Sequence, residues 1–121
     1  MAILGSVEDI ANVLKIISDK TRLTMVAILD KQECCVCEFT ETFEMSQPAI
    51  SQHLRKLKDR QIVNETKKGQ WVYYSLNKES TYYPMIHTIL EHTPAQDDLI
   101  EKLINNSPVR QKCCELGGIS N

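Results

Sequence analysis

Three cysteines within four positions form the most reactive part of this sequence. Cys34, Cys35 and Cys37 lie in the segment ECCVCEF. Thiolates are ligands for soft ions such as lead, cadmium and copper(I), and they are readily oxidised. A single cysteine is more often a small buried residue than a ligand, but three so close together make that explanation weak. The segment therefore predicts a soft-metal or thiol-reactive site.

The remaining two of the five cysteines, Cys113 and Cys114, lie near the end of the sequence. No basic region followed by a long apolar run begins the chain, and no apolar run is long enough to cross a bilayer. We therefore expect a protein of the reducing cytoplasm with no membrane partner. In that compartment an odd number of cysteines indicates thiols or metal ligands rather than structural disulfides.

The elements that must position these thiols are mostly helical. Apolar spacing and capping residues predict helices that begin after Ser6, Asp19 and Ser46, and a short one over residues 35 to 43. Residues 63 to 67 and 71 to 76 are rich in aromatic and β-branched types and predict a β-hairpin. Two closing helices are expected over residues 80 to 92 and 94 to 105. The fold class is thus mainly α with a small β-hairpin, in one domain (residues 1–106) with a flexible tail (residues 107–121).

The helix after Ser46 has two chemically different faces. Ile50, Leu54 and Leu57 follow one another at helical spacing and predict a face that packs inward. The opposite face carries side chains of the types that read base edges and phosphates. They are Gln47, Ser51, Gln52, Arg55 and Lys58. Because a short helix and a tight turn precede it, this segment predicts a helix-turn-helix whose second helix reads DNA.

The hairpin that follows is basic and predicts a wing. Lys67, Lys68 and Gln70 lie at or beside its tip, where they could reach DNA. The net charge of the chain is only −2, yet residues 55 to 68 hold six basic and two acidic side chains. Such local basic surface is compatible with specific, salt-sensitive DNA binding, although a solvated helix face gives the same charge pattern.

Together these segments resemble one family. SQPAISQHLRKLKDRQIV followed by KKGQWVYYSL is similar to the winged helix-turn-helix of the ArsR-SmtB metal-responsive repressors, and ECCVCEF resembles the CVC metal box of their arsenic and antimony sensors. The resemblance covers about residues 7 to 92. It implies a homodimer joined through the first and fifth helices. Such a dimer would bind an imperfect inverted repeat in operator DNA and be released by arsenite or antimonite, or by lead or cadmium.

The resemblance also implies which residues act. Cys35 and Cys37 would be the box thiolates, and His53 joins the residues expected to face DNA. The expected DNA-contacting set is Ser46, Gln47, Ser51, Gln52, His53, Arg55, Lys58, Lys67, Lys68 and Gln70. No cofactor is expected for DNA binding itself.

The third thiolate of a pyramidal arsenic site is less defined. Here we favour Cys34, with Cys113 and Cys114 as further ligands or as alternatives to it. Residues two apart on a helix point in nearly opposite directions, so Cys35 and Cys37 are expected to meet only if the first turn of their helix is distorted. That distortion would be the signal for release.

Other functions fit the thiols less well. A structural zinc site would need the adjacent Cys113 and Cys114 to chelate one ion. An oxidoreductase CxxC motif calls for a βαβ surround, and no catalytic constellation accompanies it, so the chain is not expected to be an enzyme. A helical module that binds no DNA would leave the polar stripe unexplained. The main alternative is a repressor that senses oxidants or reactive sulfur through disulfide formation.

Overall fold

Six helices and one hairpin make up the part of the chain that the structure describes. The computed structural model describes residues 6–69 and 71–105. The elements are α1 (Val7–Ile17), α2 (Lys20–Leu29), α3 (Val36–Phe43), α4 (Gln47–Asp59), β1 (Val63–Lys68), β2 (Trp71–Leu76), α5 (Tyr83–Glu91) and α6 (Asp97–Asn105). Strands β1 and β2 pair antiparallel, with Glu65 opposite Tyr74. The predicted fold class, mainly helical with a small hairpin, is confirmed.

The predicted capping residues begin three of these helices. Ser6 accepts a hydrogen bond from the Asp9 backbone N–H at 3.1 Å. Asp19 accepts one from Arg22 at 3.0 Å, and the Ser46 hydroxyl accepts from Ala49 at 3.3 Å. Each side chain satisfies one of the backbone donors that a helix leaves unpaired at its start.

A left-handed residue makes the turn between α3 and α4. Glu44 has φ 53°, and the Met45 N–H donates to the Thr40 carbonyl at 3.2 Å. This closes α3 and reverses the chain before Ser46 begins α4. The C-terminal end of α3 also receives a cation from α6, because Lys102 Nζ donates to the Thr42 carbonyl at 3.1 Å.

The core lies beneath the helix-turn-helix. Ile50, Leu54 and Leu57 on α4 are fully buried, as their spacing predicted. Phe39 of α3 and Met25 of α2 are also fully buried in the same apolar cluster. The first turn of α3 and the reading helix α4 therefore share one packed interior, and α3 lies directly against α4.

Helix α1 uses only part of its apolar surface for this core. Val13 and Ile17 are buried. Val7, in contrast, is 87% exposed and Leu14 is 43% exposed. Because large apolar side chains are rarely left exposed in a group without a partner, this face requires an explanation.

The two closing helices are shorter than their sequence predicted. Helix α5 begins at Tyr83, not at residue 80, because the Ser80 hydroxyl accepts from the Tyr82 N–H at 3.1 Å and forms a turn. Helix α6 begins at Asp97 and not at Pro94, since the Thr93 N–H still donates to Leu90. Across the described residues, none of the helices combines the length and apolarity that a membrane crossing requires. The expected tail, residues 107–121, lies outside the described part.

Candidate DNA-binding surface and thiol site

The polar stripe of α4 faces solvent. Gln47, Gln52, Arg55 and Lys58 are exposed and Ser51 is half-buried. Gln47 Nε2 donates to Ser51 Oγ at 3.0 Å, which orients an amide and a hydroxyl side by side near the start of the helix. In helix-turn-helix proteins, the N-terminal end of the second helix is the part that contacts base edges in the major groove.

His53 is directed toward α2. Its Nδ1 lies 3.0 Å from a guanidinium nitrogen of Arg22, which also donates through Nε to the Ile16 carbonyl at 2.6 Å. An arginine only donates, so the ring must be neutral with its proton on Nε2. Burial lowers the pKa of His53, Asp19 opposes that shift, and the cations of Arg22 and Lys56 add to it. A role for His53 in DNA binding stays a prediction.

Ion pairs hold two of the expected DNA-contacting lysines. Lys58 lies 2.8 Å from Glu65, and Lys68 lies 2.7 Å from Glu33 and 5.2 Å from the centre of the Tyr73 ring. Exposed ion pairs contribute only about 0–1 kcal/mol each, so a phosphate can replace Glu33 beside Lys68 at little cost. Lys67 is exposed, and Gln70 lies outside the described residues.

The cysteine pair of the box has its two sulfurs in contact. Cys35 precedes α3 as its N-cap, with extended backbone (φ −98°, ψ 167°), and Cys37 lies in the first turn. Their Sγ atoms are 3.0 Å apart. The expectation that these side chains diverge was therefore wrong, because Cys35 is outside the helix. Glu38 fixes this arrangement by accepting from the Cys35 N–H at 2.9 Å.

Cys34 has a different environment. Its side chain is fully buried in the core, and its Sγ lies 3.8 Å from the Gln32 carbonyl. The backbone of Cys34 pairs with Tyr74 of β2 as an isolated β-bridge, with hydrogen bonds of 3.0 and 2.7 Å. The structure thus joins Cys34 to the wing through its backbone.

No set of three or more histidine, cysteine or acidic side chains within the described ranges is arranged to hold a metal ion. Cys113 and Cys114 lie outside those ranges. The sulfurs of Cys35 and Cys37 are in contact at the entrance of a helix that packs on α4.

Sequence reasoning missed the side chains that connect these elements. Arg22 ties α1 and α2 to α4, and Glu33, Glu65 and Tyr74 tie the wing to its surroundings. Their partners are separated by up to 35 residues, and no periodicity in one segment reports a contact at that distance. One available signal was Glu65, which is one of two acidic residues within a basic stretch.

A short helix, a tight turn, an exposed polar reading helix and a following hairpin define a winged helix-turn-helix DNA-binding protein. The family model for the bacterial regulatory proteins of the arsR family matches residues 19–65. The arsenical resistance operon repressor of Staphylococcus aureus is 36% identical over 110 residues, which cover 89% of this chain and 91% of that protein. The corresponding Escherichia coli repressor is 32% identical, and the match covers 82% of this chain and 84% of that protein.

Solved structures also match this chain over most of its length. Reduced HlyU from Vibrio cholerae is 30% identical, with a TM-score of 0.61, and the match covers 71% of this chain and 90% of that one. NolR from Sinorhizobium fredii is 28% identical with a TM-score of 0.62, covering 78% of this chain and 99% of that one. This chain belongs to the arsR family of bacterial regulatory proteins and is a winged helix-turn-helix transcriptional repressor.

Proposed function

We propose that this protein is a homodimeric cytoplasmic repressor that leaves its operator when arsenite or antimonite binds cysteine thiolates. The observation that supports this proposal most directly is the 3.0 Å separation of the Cys35 and Cys37 sulfurs at the start of α3. Helix α3 packs on α4, so a change at the thiols reaches the reading helix through one packed contact. Relatives in Staphylococcus aureus and Escherichia coli that are named for arsenical resistance support this choice of inducer.

The donor set fits a trivalent arsenic or antimony species. Thiolates are soft ligands, and arsenous acid exchanges each hydroxyl for a thiolate with release of one water. Two sulfurs that already touch bind such an ion at little conformational cost. Lead and cadmium are soft enough to use the same pair. Lead and cadmium displace the thiol protons into solution, so their affinity rises with pH, whereas with arsenous acid each thiol proton leaves in the released water.

For the third thiolate, the geometry favours a cysteine of the tail over Cys34. Recruiting Cys34 would withdraw a fully buried side chain from the core and break its pairing with Tyr74. Cys113 or Cys114 could complete the pyramid without either loss. Arsenic coordination measured by X-ray absorption separates the two, since a truncation after Pro108 should lose one sulfur and Cys34→Ser should retain three.

The release step begins at the N-cap of α3. The strain arises when a third sulfur joins the pair, because closing the pyramid pulls on Cys35, whose N–H donates to Glu38, and on the first helical turn. Because α3 and α4 share buried side chains, this shift reorients the polar stripe. DNA and the inducer then favour different arrangements of α3 and α4. Each therefore lowers the protein's affinity for the other by the same factor.

The exposed apolar face of α1 supports the dimer. Val7 and Leu14 are exposed in the single chain, and a second copy that covers them through α1 and α5 would bury the face. A two-fold dimer places two reading helices about 34 Å apart, which matches an inverted repeat in operator DNA. A solved relative of the same fold is described as a homodimeric winged helix-turn-helix domain.

The contact between the two sulfurs also favours a second function. A hydroperoxide would oxidise one thiolate to a sulfenic acid with loss of water or alcohol, and the neighbouring thiol would displace water to form the disulfide. Such a protein would be a repressor that responds to oxidants or reactive sulfur. It would respond without arsenite and would recover with a reductant.

One titration tests both functions. The protein is bound to a duplex of the promoter region upstream of its own gene, and arsenite, antimonite, lead, cadmium and a persulfide donor are added under anaerobic conditions. Release by arsenite in the wild type but not in Cys35→Ser or Cys37→Ser supports the proposal. Loss of DNA binding by both variants before any addition would contradict it, because the thiols would then be structural.

A further inference from the structure

Glu65 is an acidic residue in the part of the chain expected to face phosphates, and both oxygens of its carboxylate are used. Oε1 accepts from Lys58 Nζ at 2.8 Å, and Oε2 accepts from the Tyr74 hydroxyl at 2.6 Å. These two hydrogen bonds, that from Lys58 first, lower the pKa of Glu65. The carboxylate is therefore charged at neutral pH.

Tyr74 is the fixed partner in this contact. Its side chain is only 9% exposed, and it lies directly opposite Glu65 in the hairpin. Burial and then the Glu65 carboxylate raise the pKa of Tyr74, so its hydroxyl stays a donor. On its other edge Tyr74 pairs with the backbone of Cys34. A rigid residue thus holds one end of the carboxylate, and a lysine on α4 holds the other.

From this geometry we infer that Glu65 is a positioning residue that fixes the wing to the C-terminal end of the reading helix. Elsewhere in the described part of the chain, the reading helix and the wing are joined through residues 59–63 and through their shared core. With the carboxylate in place, Lys58 and the wing present one surface of fixed geometry. Because Tyr74 pairs with Cys34, the same contact connects the thiol segment to that surface.

Removing the Glu65 carboxylate changes the affinity for DNA in opposite directions through charge and through positioning, so the two roles can be distinguished. A carboxylate near DNA repels phosphate, so its removal by charge alone raises the affinity for every sequence. Loss of positioning instead lowers the affinity for the operator and spares binding that needs no fixed geometry. If Glu65 and Lys58 formed only an isolated exposed ion pair, removal of the carboxylate would raise the affinity for every sequence and would not lower that for the operator.

The experiment compares three variants of the full chain. Glu65→Gln leaves one acceptor oxygen for two donors, and Tyr74→Phe removes the hydroxyl without changing charge or ring packing. Glu79→Gln, on the exposed turn after β2, is the control for charge. Affinities are measured by fluorescence anisotropy for the upstream promoter duplex and for a random duplex at several salt concentrations. Hydrogen exchange of the hairpin amides is measured without DNA.

We expect Glu65→Gln and Tyr74→Phe each to reduce the ratio of promoter to random-duplex affinity by about 3–10-fold, the net size expected for losing one typical intramolecular hydrogen bond. Hairpin amides should exchange faster in both variants, and Glu79→Gln should change neither measurement. An unchanged ratio in both variants, with unchanged exchange, would overturn the inference.

This inference rests on the proposed DNA binding, and the exchange measurement separates the two. If the wild type shows no preference for the promoter, the proposed function fails. In that event faster hairpin exchange in both variants would still support the role of Glu65 in fixing the wing, and unchanged exchange would refute it.

Discussion

Serine substitutions at Cys34 and Cys35 are expected to differ in their effect on the free energy of unfolding, although the two residues are adjacent. Cys34 is fully buried in the apolar core, so a serine there places a hydroxyl among apolar side chains. Such a change costs about 1–3 kcal/mol of unfolding free energy. Cys35 is the N-cap of α3 with extended backbone, and serine is among the best residues at that position. There the unfolding free energy should stay unchanged or rise by up to about 1 kcal/mol.

Thermal and urea unfolding of the two variants provide the assay, at equal protomer concentration because a dimer gains stability with concentration. In a domain of about 100 residues, 1 kcal/mol shifts the melting temperature by roughly 4 °C. Cys34→Ser should therefore melt at least that much below Cys35→Ser. Release from DNA by arsenite should survive in Cys34→Ser and be lost in Cys35→Ser. Equal stabilities with lost release in Cys34→Ser would refute both the core assignment and the choice of a tail ligand.

Three further outcomes are expected. Arg55→Ala should remove promoter binding at moderate salt and leave the unfolding free energy within about 0.5 kcal/mol, because the side chain is exposed; wild-type affinity would show that α4 does not read DNA. The pKa of His53 is below its ordinary value of 6.5. As the pH falls, the unfolded chain therefore takes up this proton at a higher pH than the folded chain does, and the free energy of unfolding should fall from pH 7 to pH 5. In His53→Gln that fall should be smaller, and an identical pH dependence would contradict it. Leu14→Glu should shift the protein toward a monomer in sedimentation velocity, whereas an intact dimer would place the interface elsewhere.

Two of the lysines expected to contact DNA, Lys58 and Lys68, form ion pairs with carboxylates in the structure. Lys58 was expected to contact DNA from the polar stripe of α4 and Lys68 from the tip of the hairpin, and both expectations stay predictions. The pairing of Lys68 with Glu33 adds a condition, because phosphate must replace that carboxylate. Lys58 can keep Glu65 and donate a second ammonium hydrogen to phosphate. Salt dependence of binding measures how many such exchanges occur.

The sequence by itself determined the local elements. Capping residues at Ser6, Asp19 and Ser46 and the apolar spacing of α4 act within a few residues of one another, so the helix starts and the buried face of the reading helix could be predicted. The basic hairpin and the three clustered thiols were equally visible. The sequence did not predict where α5 and α6 begin, because a side-chain turn at Ser80 and a continued turn at Thr93 compete with the helical pattern.

Only the tertiary structure decided what each thiol faces and what joins the DNA-binding elements. Cys34 and Cys35 are neighbours with the same chemistry, yet a β-bridge to Tyr74 buries one and the N-cap geometry of α3 directs the other to Cys37. The links of Glu65 to Lys58 and Tyr74, and of Arg22 to His53, depend on contacts between separate elements. Periodicity reports which face of an element is buried, but the identity of the side chain that packs against it is fixed only when the elements assemble.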